Sequence, residues 1–177
     1  MAIRKELLKT PDKLHQLTTL KFIKPVEKIS IAEWAGKYRV LSSDVAAEAG
    51  KFKTNRAMYQ NEPMNAFTDD RIQTVVLMCA SQSGKSTIME NVIGRFAHID
   101  PCAIMMIQPT VELAEDFSKS RIAPMIRDTK VLRKLFGDEE SEKAKKTNNT
   151  ILSKTFPGGR LVMCGANSPS GLASKPI

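Results

Sequence analysis

The sequence predicts an α/β protein with a parallel sheet flanked by helices, and three observations carry that expectation. Thr74-Val-Val-Leu-Met-Cys-Ala80 is a continuous apolar run, the mark of a strand buried on both faces. After a short polar loop, Ile88, Val92 and Phe96 recur at four-residue spacing beside Met89, Ile93 and Ala97, one broad helical face. A second apolar run, Cys102-Ala-Ile-Met-Met-Ile-Gln108, follows the break at Asp100-Pro101 and leads to another helix signal at Thr110. Strand, loop, helix, strand and helix in that order is a βαβ arrangement.

The elements are predicted in turn along the chain. Thr10-Pro11 caps a short helix through Leu14, Leu17 and Leu20, which Lys24-Pro25 ends. Ser30-Ile-Ala-Glu33 is a capping box that opens a helix carrying Trp34 and Tyr38. Ala49-Gly50-Lys51 begins a loop that runs to about Asp70. Residues 1–50 therefore read as a basic helical N-terminal segment, and 51–177 as the α/β part.

Beyond the second strand, Thr110 caps a helix with Glu112 and Glu115 in its first turns, and Pro124 divides or kinks it. Gly137 to Asn149 is a charge-rich excursion, read as a solvated loop, with DNA contact through Lys143, Lys145 and Lys146 as a minor alternative. Ile151–Phe156 and Arg160–Cys164 flank Pro157-Gly158-Gly159, a hairpin signal.

Composition bounds the function. No apolar run approaches the roughly 20 residues of a membrane span, and no signal-peptide core follows Met1, so a cytosolic location is expected. Cys79, Cys102 and Cys164 are far apart without a paired spacing, and His15 and His98 are isolated, so a metal centre is not expected. Net charge is +8, concentrated in residues 1–60, which hold 12 Lys and Arg against 6 Asp and Glu. That bias suits a polyanion or an acidic partner, and equally a solvated arm.

Cys79-Ala-Ser-Gln-Ser-Gly-Lys-Ser-Thr87 lies between the first strand and its helix. It ends in Gly-Lys-Ser, as a phosphate-binding loop does, but Cys79 stands where the full pattern has its first glycine. The strand–loop–helix context decides for a modified P-loop. Backbone N–H groups of Ser81, Gln82, Ser83, Gly84 and Lys85 would form an anion nest at the helix N-terminus. Lys85 would reach the β- and γ-phosphates of ATP, and the Ser86 hydroxyl, with Thr87 next in line, would ligate Mg²⁺.

Several blocks together resemble one family: the ATPase region of the large terminase subunit of tailed bacteriophages, of the lambda-like type. They are Glu33-Trp-Ala-Gly-Lys-Tyr-Arg-Val-Leu41, Asn55-Arg-Ala-Met-Tyr-Gln-Asn-Glu-Pro-Met64, Ser81-Gln-Ser-Gly-Lys-Ser86 and Gln108-Pro-Thr-Val-Glu-Leu-Ala114. Arg121-Ile-Ala-Pro-Met-Ile126, Phe156-Pro-Gly-Gly159 and Gly165-Ala-Asn-Ser-Pro-Ser-Gly-Leu-Ala-Ser174 continue the series.

The resemblance implies a P-loop NTPase fold of the ASCE/RecA-like kind. It also implies an ATP-driven motor that moves double-stranded DNA into the procapsid in the host cytoplasm. Such motors work as homo-oligomers with a small terminase subunit and a portal protein, and their parent chains carry an endonuclease. Residue by residue, Lys85 and Ser86 take the catalytic Walker A roles. Tyr59 and Gln60 stand where related motors hold the adenine, with tyrosine packing under a loop as the alternative. Thr110 takes a DNA-phosphate position, and Ser168 and Ser170 lie in a loop that approaches DNA or couples hydrolysis to movement.

Two departures from the family pattern bear on activity. Ala80, Ser81, Gln82 and Ser83 are uncharged where terminase loops often carry Arg or Lys. No hydrophobic run ends in the acidic pair of a Walker B strand; Asp69-Asp70 and Glu139-Glu140 lack that context. The expectation is the N-terminal part of the motor, inactive alone, with the Walker B strand and nuclease absent. The alternatives are a nucleotide- or DNA-binding assembly module without turnover, and a helicase-like ATPase fragment.

Overall fold

Ser30 caps the first described helix as its sequence dictates. Its hydroxyl accepts from the Glu33 N–H while the Glu33 carboxylate accepts from the Ser30 N–H, starting helix α1, Ile31–Tyr38. The computed structural model describes residues 28–44, 46, 48–137 and 149–173. The helix expected over Leu14–Leu20, the lysines of the charged excursion and Ser174 lie outside the described residues.

A two-stranded antiparallel pair, β1 (Val40–Leu41) and β2 (Gly50–Lys51), follows α1. The stretch expected as a loop then folds into a 3₁₀ segment, Thr54–Gln60, and helix α2, Asn61–Ala66. The longest of the described helices, α3, spans Lys85–Ile99. Trp34 of α1 is fully buried against it, and the indole N–H donates to His98 Nδ1 at 3.1 Å. Gly94 makes room for that ring, because a Cβ there would stand 2.3 Å from Trp34 Cη2.

The main sheet comprises β3 (Ala103–Gln108), β4 (Ser153–Phe156) and β5 (Gly159–Gly165), in the order β3-β5-β4. β3 pairs with β5 in parallel, Ala103 opposite Arg160 through Gln108 opposite Gly165. β4 and β5 form the hairpin that Pro157-Gly158 predicts, with Gly158 at φ +87°. The architecture is thus mixed α/β with a partly parallel sheet. The central strand β5 is buried from Leu161 through Gly165, its apolar side chains closing on Ile93, Met106, Met125, Leu132 and Phe136.

Helix α4 (Val111–Phe117) begins at Thr110, whose hydroxyl accepts from the Leu113 N–H. A π-helical turn, Ser118–Ile122, precedes α5 (Ala123–Asp128), and α6 (Lys130–Phe136) follows. The π turn accommodates Pro124, which cannot donate into the α ladder. A short helix, α7 (Pro169–Ala173), ends the described chain.

A second expectation is overturned. Thr74–Ala80 belongs to no strand, and Val76 and Met78 are 83% and 97% exposed. Only Val75 and Leu77 are half-buried, Leu77 against the cluster of Ile31, Ala32, Met64 and Ile88. An apolar run states the surroundings it suits, but burial on both faces needs neighbouring strands. Among the described residues no strand pairs with this run, and β3 pairs with β5 instead.

Candidate functional site

The loop between Ala80 and α3 is turn-rich, with positive φ at two positions, Gln82 (+59°) and Gly84 (+82°). Left-handed residues set two apart turn neighbouring N–H groups toward one side, the arrangement of an anion nest. Gly84 is also the N-cap of α3, so no side chain caps the helix and no acidic residue lies in its first turn. The positive end of a 15-residue helix dipole is left for a ligand anion.

Side chains brace the loop. Lys85 folds back so that Nζ donates to the Ala80 carbonyl at 2.6 Å and the Cys79 carbonyl at 3.3 Å. The Ser83 hydroxyl donates to the same Ala80 carbonyl at 2.9 Å. From the 3₁₀ segment, Tyr59 OH and Gln60 Nε2 each donate to the Ser83 carbonyl at 3.1 Å. Gln60 is buried while the Tyr59 ring stays 66% exposed. Ser81, Gln82 and Ser86 are exposed, and Thr87 is half-buried.

The structure brings the sequence candidates together in two groups. Ser81 to Thr87, Tyr59 and Gln60 form the first. Thr110 and the turn before Ser168 form the second, at the C-terminal ends of parallel β3 and β5. There the Ala166 N–H donates to the Gln108 carbonyl at 2.7 Å. A Cβ on Gly165 would stand 2.4 Å from the Val111 nitrogen, so the N-terminus of α4 rests on the end of β5. Ser170 lies within α7.

Sequence reasoning missed a buried ion pair beside the loop. Arg39, just after α1, bonds through Nη2 to Glu90 Oε2 on α3, both side chains under 5% exposed. Burial lowers the Arg39 pKa and raises that of Glu90, outweighing their mutual attraction. The pair lines a cavity of about 430 Å³, whose wall also includes Gln60, Thr87, Lys51, Arg56 and Arg121. A signal was available, since Glu90 precedes Ile93 by three residues and Ala97 by seven, on the buried stripe of α3.

Among the described residues no group of three or more His, Cys, Asp or Glu is placed to hold a metal ion. None of the described helices is long and apolar enough to cross a membrane.

Residues 46–177 match the family model described as "Phage terminase large subunit gpA, ATPase domain". The chain belongs to that family. It is 30% identical over 143 residues to the protein named "Terminase, large subunit" of Enterobacteria phage P21, and 28% identical over 141 residues to that of Escherichia phage lambda. These alignments cover 79% and 78% of this chain, but 21% of either relative, so the chain spans about one-fifth of their length. No solved structure matches. The matched region contains the braced loop, α3 and the whole three-stranded sheet.

Proposed function

We propose that the Ser81–Thr87 loop holds the phosphates of ATP in a motor that drives double-stranded DNA into a phage procapsid. The observation that carries this reading is the uncapped N-terminus of α3, preceded by positive φ at Gln82 and Gly84 and followed at once by Lys85. Lys85 would exchange its bonds to the Ala80 and Cys79 carbonyls for the β- and γ-phosphates. Tyr59 and Gln60 serve the same site by fixing the Ser83 carbonyl, which sets the direction of the next peptide N–H.

The exposed Ser86 hydroxyl, in the first turn of α3, would hold Mg²⁺ together with phosphate oxygens and water. Bound Mg²⁺ neutralises the charge that develops on the phosphates. The hydroxyl fits the ion's preference for hard oxygen donors.

The second group of residues, Thr110, Ser168 and Ser170, would meet the DNA backbone at the ends of β3 and β5. In this reading the chain works as part of a homo-oligomer with a small terminase subunit and the portal, in the host cytoplasm. Hydrolysis is assigned to the assembled motor.

Calorimetric titration with Mg·ATP tests the loop. Removing a charge-assisted bond worth about 1.5–3 kcal/mol, Lys85→Ala should weaken binding by roughly ten- to a hundred-fold. Equal affinity of the two proteins would overturn the assignment.

A further inference from the structure

Beside the loop, Arg39 Nε, Arg39 Nη1 and Glu90 Oε1 are buried with no hydrogen-bond partner among the described residues. Two donors and one acceptor are thus left over on a pair that lines the 430 Å³ cavity. Buried polar atoms in folded proteins are seldom left this way without a role.

The chemistry of the leftover atoms narrows the ligand. A simple anion would satisfy Arg39 but meet the Glu90 carboxylate; a simple cation would do the reverse. A planar edge with an acceptor next to a donor satisfies both, and every nucleobase presents such an edge. The cavity shares Gln60 and Thr87 with the loop, so base and phosphates of one molecule have a common wall. Lys51, Lys53, Arg56 and Arg121 also line the cavity and favour the approach of a polyanion. Arg121 stands in the π-helical turn, a distortion often kept at functional sites.

From this placement we infer that the Arg39–Glu90 pair reads the base edge of the nucleotide whose phosphates occupy the loop. The inference rests on the ATP reading of that loop and deepens it by assigning the residues that hold the base. The Gln60 amide nitrogen is directed at Ser83, so the base-reading role passes to the buried pair.

The test compares ATP with inorganic tripolyphosphate, by calorimetry on the full 177-residue chain. The wild-type protein should bind ATP at least ten-fold more tightly than tripolyphosphate. Glu90→Gln should remove most of that preference and leave tripolyphosphate binding unchanged. Because a buried pair is sensitive to substitution, Ala46→Trp provides a second variant that fills the cavity from its lining and keeps both residues of the pair. It should likewise abolish the preference alone. Tripolyphosphate binding with no preference for ATP, or a preference that survives both variants, overturns the base-reading inference and leaves the loop assignment standing. Failure of both ligands to bind overturns the loop assignment, and this inference with it.

Discussion

The Gln60 amide nitrogen stands 2.2 Å from where a Cβ on Gly84 would lie. That nitrogen donates to the Ser83 carbonyl, so side-chain brace and glycine are two parts of one close approach. Gly84 is also at φ +82°, where any other residue is strained. Gly84→Ala should therefore cost about 1–2 kcal/mol in backbone strain alone, with the clash in addition. Denaturant titration checks this. Pairing the change with Gln60→Ala should recover the clash and not the strain, so full recovery in the double variant would count against the account.

A second close approach lies in the core. Gly94 of α3 faces Trp34 at a distance that leaves no room for a methyl group. Gly94→Ala normally favours a helix, by up to about 1 kcal/mol. Here overpacking against a fully buried indole should reverse the sign, with a net loss of about 1–2 kcal/mol. The midpoint of denaturation, followed by the fluorescence of the single tryptophan, reads it directly. A midpoint at or above that of the wild type would show that α1 shifts freely.

Much of this was legible in the sequence, for identifiable reasons. The α1 capping box, the Thr110 cap and the Pro157-Gly158 hairpin are local devices, each complete within a few residues, and all three formed as read. β3 also formed where its apolar run lay. Thr74–Ala80 has the same composition, but strand status depends on a neighbour that no local pattern specifies. The period of α3 puts Glu90 on its buried stripe, but the partner Arg39 lies 51 positions away and no local pattern names it. Sequence thus pointed to the Ser81–Thr87 loop and passed over the cavity beside it.

The buried pair has a consequence for pH. Burial raises the Glu90 pKa, against the attraction of Arg39 and Arg121, so the folded chain holds this proton more tightly than the unfolded one. Its stabilising contribution is complete below the ordinary value of 4.5 and is lost as pH rises through the folded pKa. Asp44, Asp69 and Asp128 act in the opposite sense. Arg127 lowers the first and last, and Arg71 holds Asp69 at about 2, so their contribution is lost as pH falls. Those groups are common to wild type and Glu90→Gln and cancel in the difference. The stability of wild type minus variant should therefore decline with rising pH above about 4.5. A flat difference would refute the account.

Val76 and Met78 give the last prediction. They alternate with the half-buried Val75 and Leu77, so one side of the run faces the cluster around Met64 and Ile88 while the other faces solvent. A segment that shows apolar side chains and unpaired backbone together is a template for association with another chain. Replacing both outward residues, Val76→Lys with Met78→Lys, removes little packing among the described residues. The midpoint of unfolding should then stay within about 0.5 kcal/mol of wild type. Concentration-dependent association, followed by light scattering or sedimentation, should fall sharply. Leu77→Ala should do the opposite, lowering stability by about 1–2 kcal/mol because its half-buried side chain packs on the cluster. If the lysine pair instead lowers the midpoint by more than about 1 kcal/mol, Val76 and Met78 are packed in solution and the run is a covered strand.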